Sequence, residues 1–258
     1  MDKRIAVIGS GNVAEALCRA LREASCPPVQ VFARNPLRGC IVAETAGCPF
    51  ENEAERLAEA DIYLLAVSDR AIREVSERLD FGNAVVAHTS GSCGSDELSP
   101  KVRRRGVFYP LQTFTAGRRV NFREVPLFVE ADDEKTREEI GELARKLSDT
   151  VLSSDPVLRR RLHVAAVFVC NFVNHLYVTG ESIMREAGLD WEILKPLIRE
   201  TTAKMLESPS PLPLQTGPAV REDLPTLEKH RELLRDEPHL LEIYDLLTRS
   251  IIASKKKK

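Results

Sequence analysis

The stretch that decides the fold is Ile5-Ala6-Val7-Ile8-Gly9-Ser10-Gly11-Asn12-Val13-Ala14. Four consecutive apolar residues, three of them β-branched, predict a strand buried on both faces. Gly9-x-Gly11-x-x-Ala14 follows at once, and from Asn12 to about Ala24 the apolar residues recur at helical spacing. A strand, a glycine turn and a helix in that order form the unit in which a dinucleotide pyrophosphate rests on the positive end of a helix. Gly9 permits the tight turn, Gly11 lets the backbone approach the pyrophosphate, and small Ala14 allows the helix to pack close. Ser10, Asn12 and Val13 complete this candidate cofactor-binding turn.

Outward from this turn, short apolar runs alternate with amphipathic helical stretches up to about Ser154, the pattern of a parallel sheet with crossover helices. Strands are expected at Arg4 to Ile8, Val29 to Ala33, Ile62 to Val67, Ala84 to His88, Gly106 to Tyr109 and Leu127 to Glu130, with a short closing strand at Thr150 to Leu152. Helices are expected at Asn12 to Ala24, Glu53 to Ala58, Arg70 to Leu79 and Glu134 to Leu147. After Asp155 the strand signal stops and helices follow at Pro156 to Glu186, Asp190 to Leu206, Pro225 to Leu234 and Pro238 to Ser254. The expected fold is therefore α/β, a Rossmann-type dinucleotide-binding domain over 1–154 followed by an all-α domain for substrate binding and dimerisation over 155–258. The proline-rich run from Ser208 to Pro218 is a connection, since no helix runs through that many prolines.

The second strand chooses the cofactor. NAD-binding domains usually end it in a carboxylate that holds the ribose hydroxyls, but here it runs into Arg34-Asn35, with Arg38 close behind. A guanidinium there suits the 2′-phosphate of NADP, and a solvated loop charge is the alternative. Ala66-Val67-Ser68 and Thr89-Ser90 end the next two strands at the carboxyl edge of the sheet, where ligands bind in this architecture, although simple turn chemistry also accounts for the hydroxyl residues. His88 reads as a strand-end residue satisfied locally, with a catalytic group as the alternative.

The formal charge of -2 provides no global field for nucleic acid or an anionic membrane, and Lys255 to Lys258 read as a solvated tail. The six cysteines show neither a CxxC pair nor a zinc-like spacing with histidine, so no metal is expected and most are read as small buried hydrophobes. Lys3-Arg4 leads straight into the first strand with no secretory h-region, and Leu162 to Val173, the longest nearly apolar stretch, is shorter than a bilayer span. A cytoplasmic protein acting on a small molecule is the expectation.

Taken together, Gly9-Ser-Gly-Asn-Val-Ala14, Leu64-Leu-Ala-Val67, His88-Thr-Ser-Gly91 and the helical second half resemble the pyrroline-5-carboxylate reductase and β-hydroxyacid dehydrogenase superfamily, with its 6-phosphogluconate dehydrogenase-like C-terminal domain. Tyr109-Pro-Leu-Gln-Thr-Phe114 and Thr216-Gly-Pro-Ala-Val-Arg-Glu-Asp223, with Thr226 and His230, are more similar to a group of Rossmann-like NADP oxidoreductases whose helical domain has no assigned function. The resemblance implies fold and cofactor, and it makes Gln112 a candidate substrate contact. In β-hydroxyacid dehydrogenases the long helix carries a lysine and, four residues on, an asparagine. Asn171 matches the asparagine, whereas Val167 stands at the lysine position, so the lysine-acid mechanism does not carry over.

That helix, Leu162 to His175, is apolar around most of its circumference, which predicts burial against other helices and a partner subunit. On an ideal helix Asn174 and Asn171 lie roughly 20° and 80° from His163, one polar stripe that must be paired or face a wet cleft. His163 and Asn171 are about 12 Å apart along the axis, so at most one of them donates the proton. His163 reads either as that donor or as a packed, hydrogen-bonded histidine. Arg221 is a candidate for a substrate carboxylate, Asp223 is a helix cap or a site residue, and Arg159-Arg160-Arg161 reads as a solvated face. The function expected is hydride transfer between NADPH and a carbonyl or imine carbon of a small anionic metabolite. The alternative is a non-catalytic NADP-binding module or redox sensor.

Overall fold

The structure is a computed structural model that describes residues 3–255; most of the basic run at Lys255 to Lys258 lies outside the described residues. It divides into two compact units, Met1–Phe172 and Val173–Lys258. The division falls inside the long helix, 18 residues beyond the boundary expected from the loss of strand signal, because the first turns of that helix belong with the sheet.

The first unit holds one eight-stranded sheet: β1 (Ile5–Ile8), β2 (Gln30–Phe32), β3 (Phe50–Glu51), β4 (Ile62–Leu65), β5 (Val85–His88), β6 (Arg104–Pro110), β7 (Leu127–Ala131) and β8 (Val151–Ser153), in the order β3-β2-β1-β4-β5-β6-β7-β8. All neighbours are parallel except β6 and β7, whose antiparallel pairing makes the sheet mixed. The crossover helices are α1 (Asn12–Glu23), α2 (Pro36–Ala46), α3 (Ile72–Arg78) and α4 (Glu134–Leu147). Strand period divides the core in two: Ile5, Val7, Ile62 and Leu64 face α1, α2 and α4, while Ala6, Ile8, Tyr63 and Leu65 face Ile72 and Leu79. Because the chain steps from β1 outward to β3 and returns to β4, the crevice at the carboxyl ends of β1 and β4 is the topological switch point.

Besides the unexpected two-residue strand β3, two elements of the sheet unit differ from expectation. The stretch around Arg38 is not loop but helix α2, begun by Pro36 at its first turn and by Asn35, whose side chain accepts from Arg38 N at 3.1 Å, and ended by Gly47 at φ 72°. Only a 3₁₀ turn, Ala54–Arg56, forms where the helix Glu53 to Ala58 was expected.

Asp155 caps helix α5 (Pro156–Ala166), accepting from Val157 N and Leu158 N, and Leu162 packs on Val107, Tyr109 and Phe128. A π-helical stretch, Val167–Phe172, follows. Its wider turn shifts the phase of everything after it, so the ideal-helix stripe joining His163 to Asn174 does not hold. The expected burial of this helix is not met within the chain, since Phe168 is 62 % and Val169 74 % exposed. Pro156–Glu186 as a whole is long and apolar enough to cross a bilayer by length and composition, which counting Leu162 to Val173 alone had not suggested, yet its first turn is anchored in the sheet unit through Arg159.

The second unit contains α6 (Val173–Glu186), α7 (Lys195–Glu207), α8 (Pro218–Arg221), α9 (Leu224–Leu233) and α10 (Pro238–Lys255). Helices α9 and α10 are joined by His230 Nδ1 to Tyr244 Oη at 2.8 Å and by Arg231 to Asp245 at 2.8 Å.

Candidate active site

Gly9 sits at φ +128°, and a Cβ there would lie 2.2 Å from the carbonyl oxygen of Ala66 on the neighbouring strand end. Only glycine fits. Gly11 is the opposite case: a Cβ there would meet no protein atom within 4 Å, so space is open in front of the first turn of α1. No side chain caps that turn, and its N–H groups remain available to an anion.

This opening belongs to a cleft of about 940 Å³ lined entirely by residues of the first unit. The cleft brings together Gly9, Ser10, Gly11, Asn12 and Val13 with Arg34 and Asn35 at one end, and with Ala66, Val67, Ser68, Thr89, Gln112, His163 and Asn171 toward the other. Arg34 is exposed. Arg38 does not line the cleft, because Glu15 takes its guanidinium while the same carboxylate also accepts from Arg19 and from Gly117 N at 3.1 Å. Ser90 does not line it either. Its hydroxyl accepts from Ser92 N at 3.0 Å and Cys93 N at 3.1 Å, which is turn chemistry. Asn174 and Arg221 belong to the second unit, on α6 and α8. Asp223 caps α9 through Thr226 N at 3.3 Å and Thr226 Oγ1 at 2.8 Å, and these bonds hold its carboxyl below the usual range.

His88 is fully buried, with Nε2 2.8 Å from Gly94 O and Nδ1 accepting from Ser90 N at 3.2 Å. The nitrogen roles are then set: Nδ1 accepts, so Nε2 carries the proton and donates. Burial pushes its pKa down and keeps it neutral. It serves its own turn and does not reach the cleft.

The residue that sequence reasoning left without a role is Tyr109. It is the last residue but one of β6, at the carboxyl edge, and its Oη lies 3.2 Å from His163 Nδ1, with the two rings edge-to-face at 6.1 Å. Burial pushes the Tyr109 phenol up, opposed in part by the Arg159 guanidinium. Gly91 makes the pair possible, since a Cβ there would lie 2.7 Å from both His163 Nδ1 and Tyr109 Cζ. A tyrosine at the carboxyl end of a sheet strand was the signal available in the sequence. Apolar Leu111 and Leu162 pack with Tyr109 and line the cleft beside the pair.

Comparison with known proteins agrees with this geometry. Residues 4–90 match a family described as NADP oxidoreductase, coenzyme F420-dependent, and residues 125–251 match a domain family of unknown function. A protein of Bacteroides fragilis, provisionally classed as an NADP oxidoreductase, is 34 % identical over 98 % of both chains with a TM-score of 0.92. A protein of Thermotoga maritima shares the fold at 20 % identity and TM-score 0.74 over 98 % of both chains. Pyrroline-5-carboxylate reductase of Pseudomonas aeruginosa is 38 % identical over 79 residues, a match that covers 30 % of this chain and 29 % of that enzyme's length. A glycine turn that only glycine can occupy, an open helix end beside it and full-length similarity to the Bacteroides fragilis protein all agree: the chain belongs to the NADP oxidoreductase family.

Proposed function

We propose that this protein is a reductase that passes a hydride from NADPH to the carbonyl or imine carbon of a small metabolite, with His163 supplying the proton. The observation that carries the proposal is the Tyr109–His163 pair, which lines the same cleft as the glycine turn and Arg34. A phenol kept protonated by burial donates to Nδ1, which leaves Nε2 as the ring N–H. As hydride reaches the adjacent carbon, that N–H gives its proton to the oxygen or nitrogen that gains electrons while Nδ1 takes the phenol's proton, so the ring stays neutral and the phenolate left behind is reprotonated from solvent. The cofactor when bound supplies the hydride; the protein's part is to orient both reactants and hold the proton.

Arg34 is the group proposed to select NADP over NAD. Asn35 stands beside it in the cleft, while Arg38 is withdrawn into its bonds with Glu15. The proposal also includes a homodimer through the helical region, which exposed Phe168, Val169 and Phe172 support, and a cytoplasmic setting.

NADPH absorbance followed with a panel of oxo-acids, aldehydes and cyclic imines tests the reading. Turnover is expected, with His163→Gln lowering kcat about 100-fold while NADPH affinity holds. Undiminished turnover in that variant would remove His163 as the donor. Arg34→Ala should weaken NADPH roughly tenfold or more and NADH little; equal losses would end the 2′-phosphate assignment. Sedimentation of the wild type and of Phe168→Asp reads the dimer, which only the wild type should form.

A further inference from the structure

The bulkiest side chain with no exposed surface is a charged one. Arg159 is 0 % exposed, although it opens the run Arg159-Arg160-Arg161 that reads as a solvated face. One guanidinium nitrogen bonds the Glu130 carboxylate on β7 and a second bonds the carbonyl of Cys93. Its Nε, also buried, has no partner among the described residues. Glu130 in turn accepts from Ser95 N at 3.1 Å, and His88 holds Gly94 O at 2.8 Å. Three successive residues, Cys93, Gly94 and Ser95, are therefore fixed by side chains from α5, β5 and β7.

A buried ion pair with one donor unsatisfied adds little to stability, since apolar residues of the same volume would pack there at no greater cost. What it offers is geometry. Arg159 precedes His163 by one helical turn on the same face of α5, so whatever fixes the first fixes the rotational setting of the second. The loop that Arg159 grips carries Gly91, against which the rings of His163 and Tyr109 pack, and it begins at Thr89 in the wall of the cleft.

We infer that Arg159 is a positioning residue: with Glu130 it clamps the first turn of α5 to the Cys93–Ser95 turn, in the one register that brings His163 Nδ1 to Tyr109 Oη. The planar fork is essential, because a lysine ammonium is a single point on a flexible stem and cannot hold carboxylate and carbonyl together in fixed directions. The inference rests on the function proposed above only in taking the His163–Tyr109 pair as the proton source.

The test uses the full chain, saturated with NADPH and free of it, in wild type, Arg159→Lys and the double variant Arg159→Met with Glu130→Met. Side-chain ¹⁵N spectra of histidine report the His163 nitrogens, identified by their loss in His163→Gln and referenced to Tyr109→Phe. In Arg159→Lys the His163 nitrogen shifts are expected to move to those of Tyr109→Phe, while NADPH affinity changes less than about threefold. The double variant, with both buried charges gone, is expected to keep the wild-type melting temperature and still show the displaced His163 signals. Wild-type His163 signals in either folded variant would overturn the inference, including the case where only the melting temperature falls. Should Arg159→Lys not fold, the double variant decides by the same signals. The readout is spectroscopic, so loss of the donor role for His163 in turnover experiments would be seen separately and would leave the clamp standing.

Discussion

Leu64 on β4 and Leu206 on α7 are the same side chain in opposite settings: the first has no exposed surface, and the second is 75 % exposed. The contrast runs through the molecule. Strands of the sheet unit bury apolar residues on both faces against helices of the same unit, and they need nothing from outside the chain. The helical region keeps Leu197, Leu206, Leu233 and Leu246 more than half exposed. One half of the sequence completes its core within the chain, while the other leaves large apolar side chains exposed.

Leu64→Ala should give the largest effect, a loss of about 3–5 kcal/mol in denaturant unfolding, because it removes contacts and leaves a cavity between the sheet and its helices. Leu206→Ala in the monomer should stay within about 0.5 kcal/mol. A larger cost at Leu206 that appears only at protein concentrations where the chain self-associates would sharpen the contrast into an interface, and equal costs at any concentration would break it.

Gly91→Ala probes the place where the sheet unit takes hold of α5. Its new Cβ must displace His163 or Tyr109, at a cost of about 1–3 kcal/mol. Thermal melts together with NADPH titration should show weaker packing and retained cofactor affinity. A variant with unchanged stability and an unchanged His163 spectrum would mean that the loop is free to move aside.

The caps compare the two halves more gently. Asp155→Ala, which frees two N–H groups at the start of α5, should cost about 1 kcal/mol. The same change at half-buried Asp223, which caps a single N–H of α9, should shift the melt less. A reversed order would place more of the cooperative structure in the helical unit than its burial suggests.

The smallest effect expected is a pH dependence confined to the sheet unit. Burial depresses the His88 pKa in the folded chain, so the unfolded chain binds more protons once pH falls below about 6.5. Stability from this group is full above that value and declines with falling pH until the folded imidazole itself takes up a proton. Denaturant midpoints from about pH 7.5 to 5 should show the slope in wild type and a flatter line in His88→Asn; parallel lines would remove His88 as its source.

The glycine turn and most of the strands and helices around it were legible because each depends on residue type at fixed local spacing. Gly9 is followed by Gly11 and Ala14 whatever the rest of the chain does, and Arg34 follows its strand directly. Helix α2 was equally local, with Pro36 at its first turn and Gly47 past its end, and a stricter reading of caps finds it. Arg38 and Ser90 were misplaced for the opposite reason: their partners, Glu15 and the amides of Ser92 and Cys93, could be assigned only once the backbone was folded.

What the sequence by itself determined was the dinucleotide-type sheet, the turn that only glycine can make and the succession of helices that follows. These rest on periodicity and on backbone freedom, properties of neighbours along the chain. Tertiary structure alone decided that Tyr109 meets His163 and that Arg159 is buried beneath them, since contacts between residues 54 and 66 positions apart are set by how α5 packs on the sheet. A basic residue in a basic run looks solvated until a carboxylate on another strand is shown to close over it, and no local pattern records that closure.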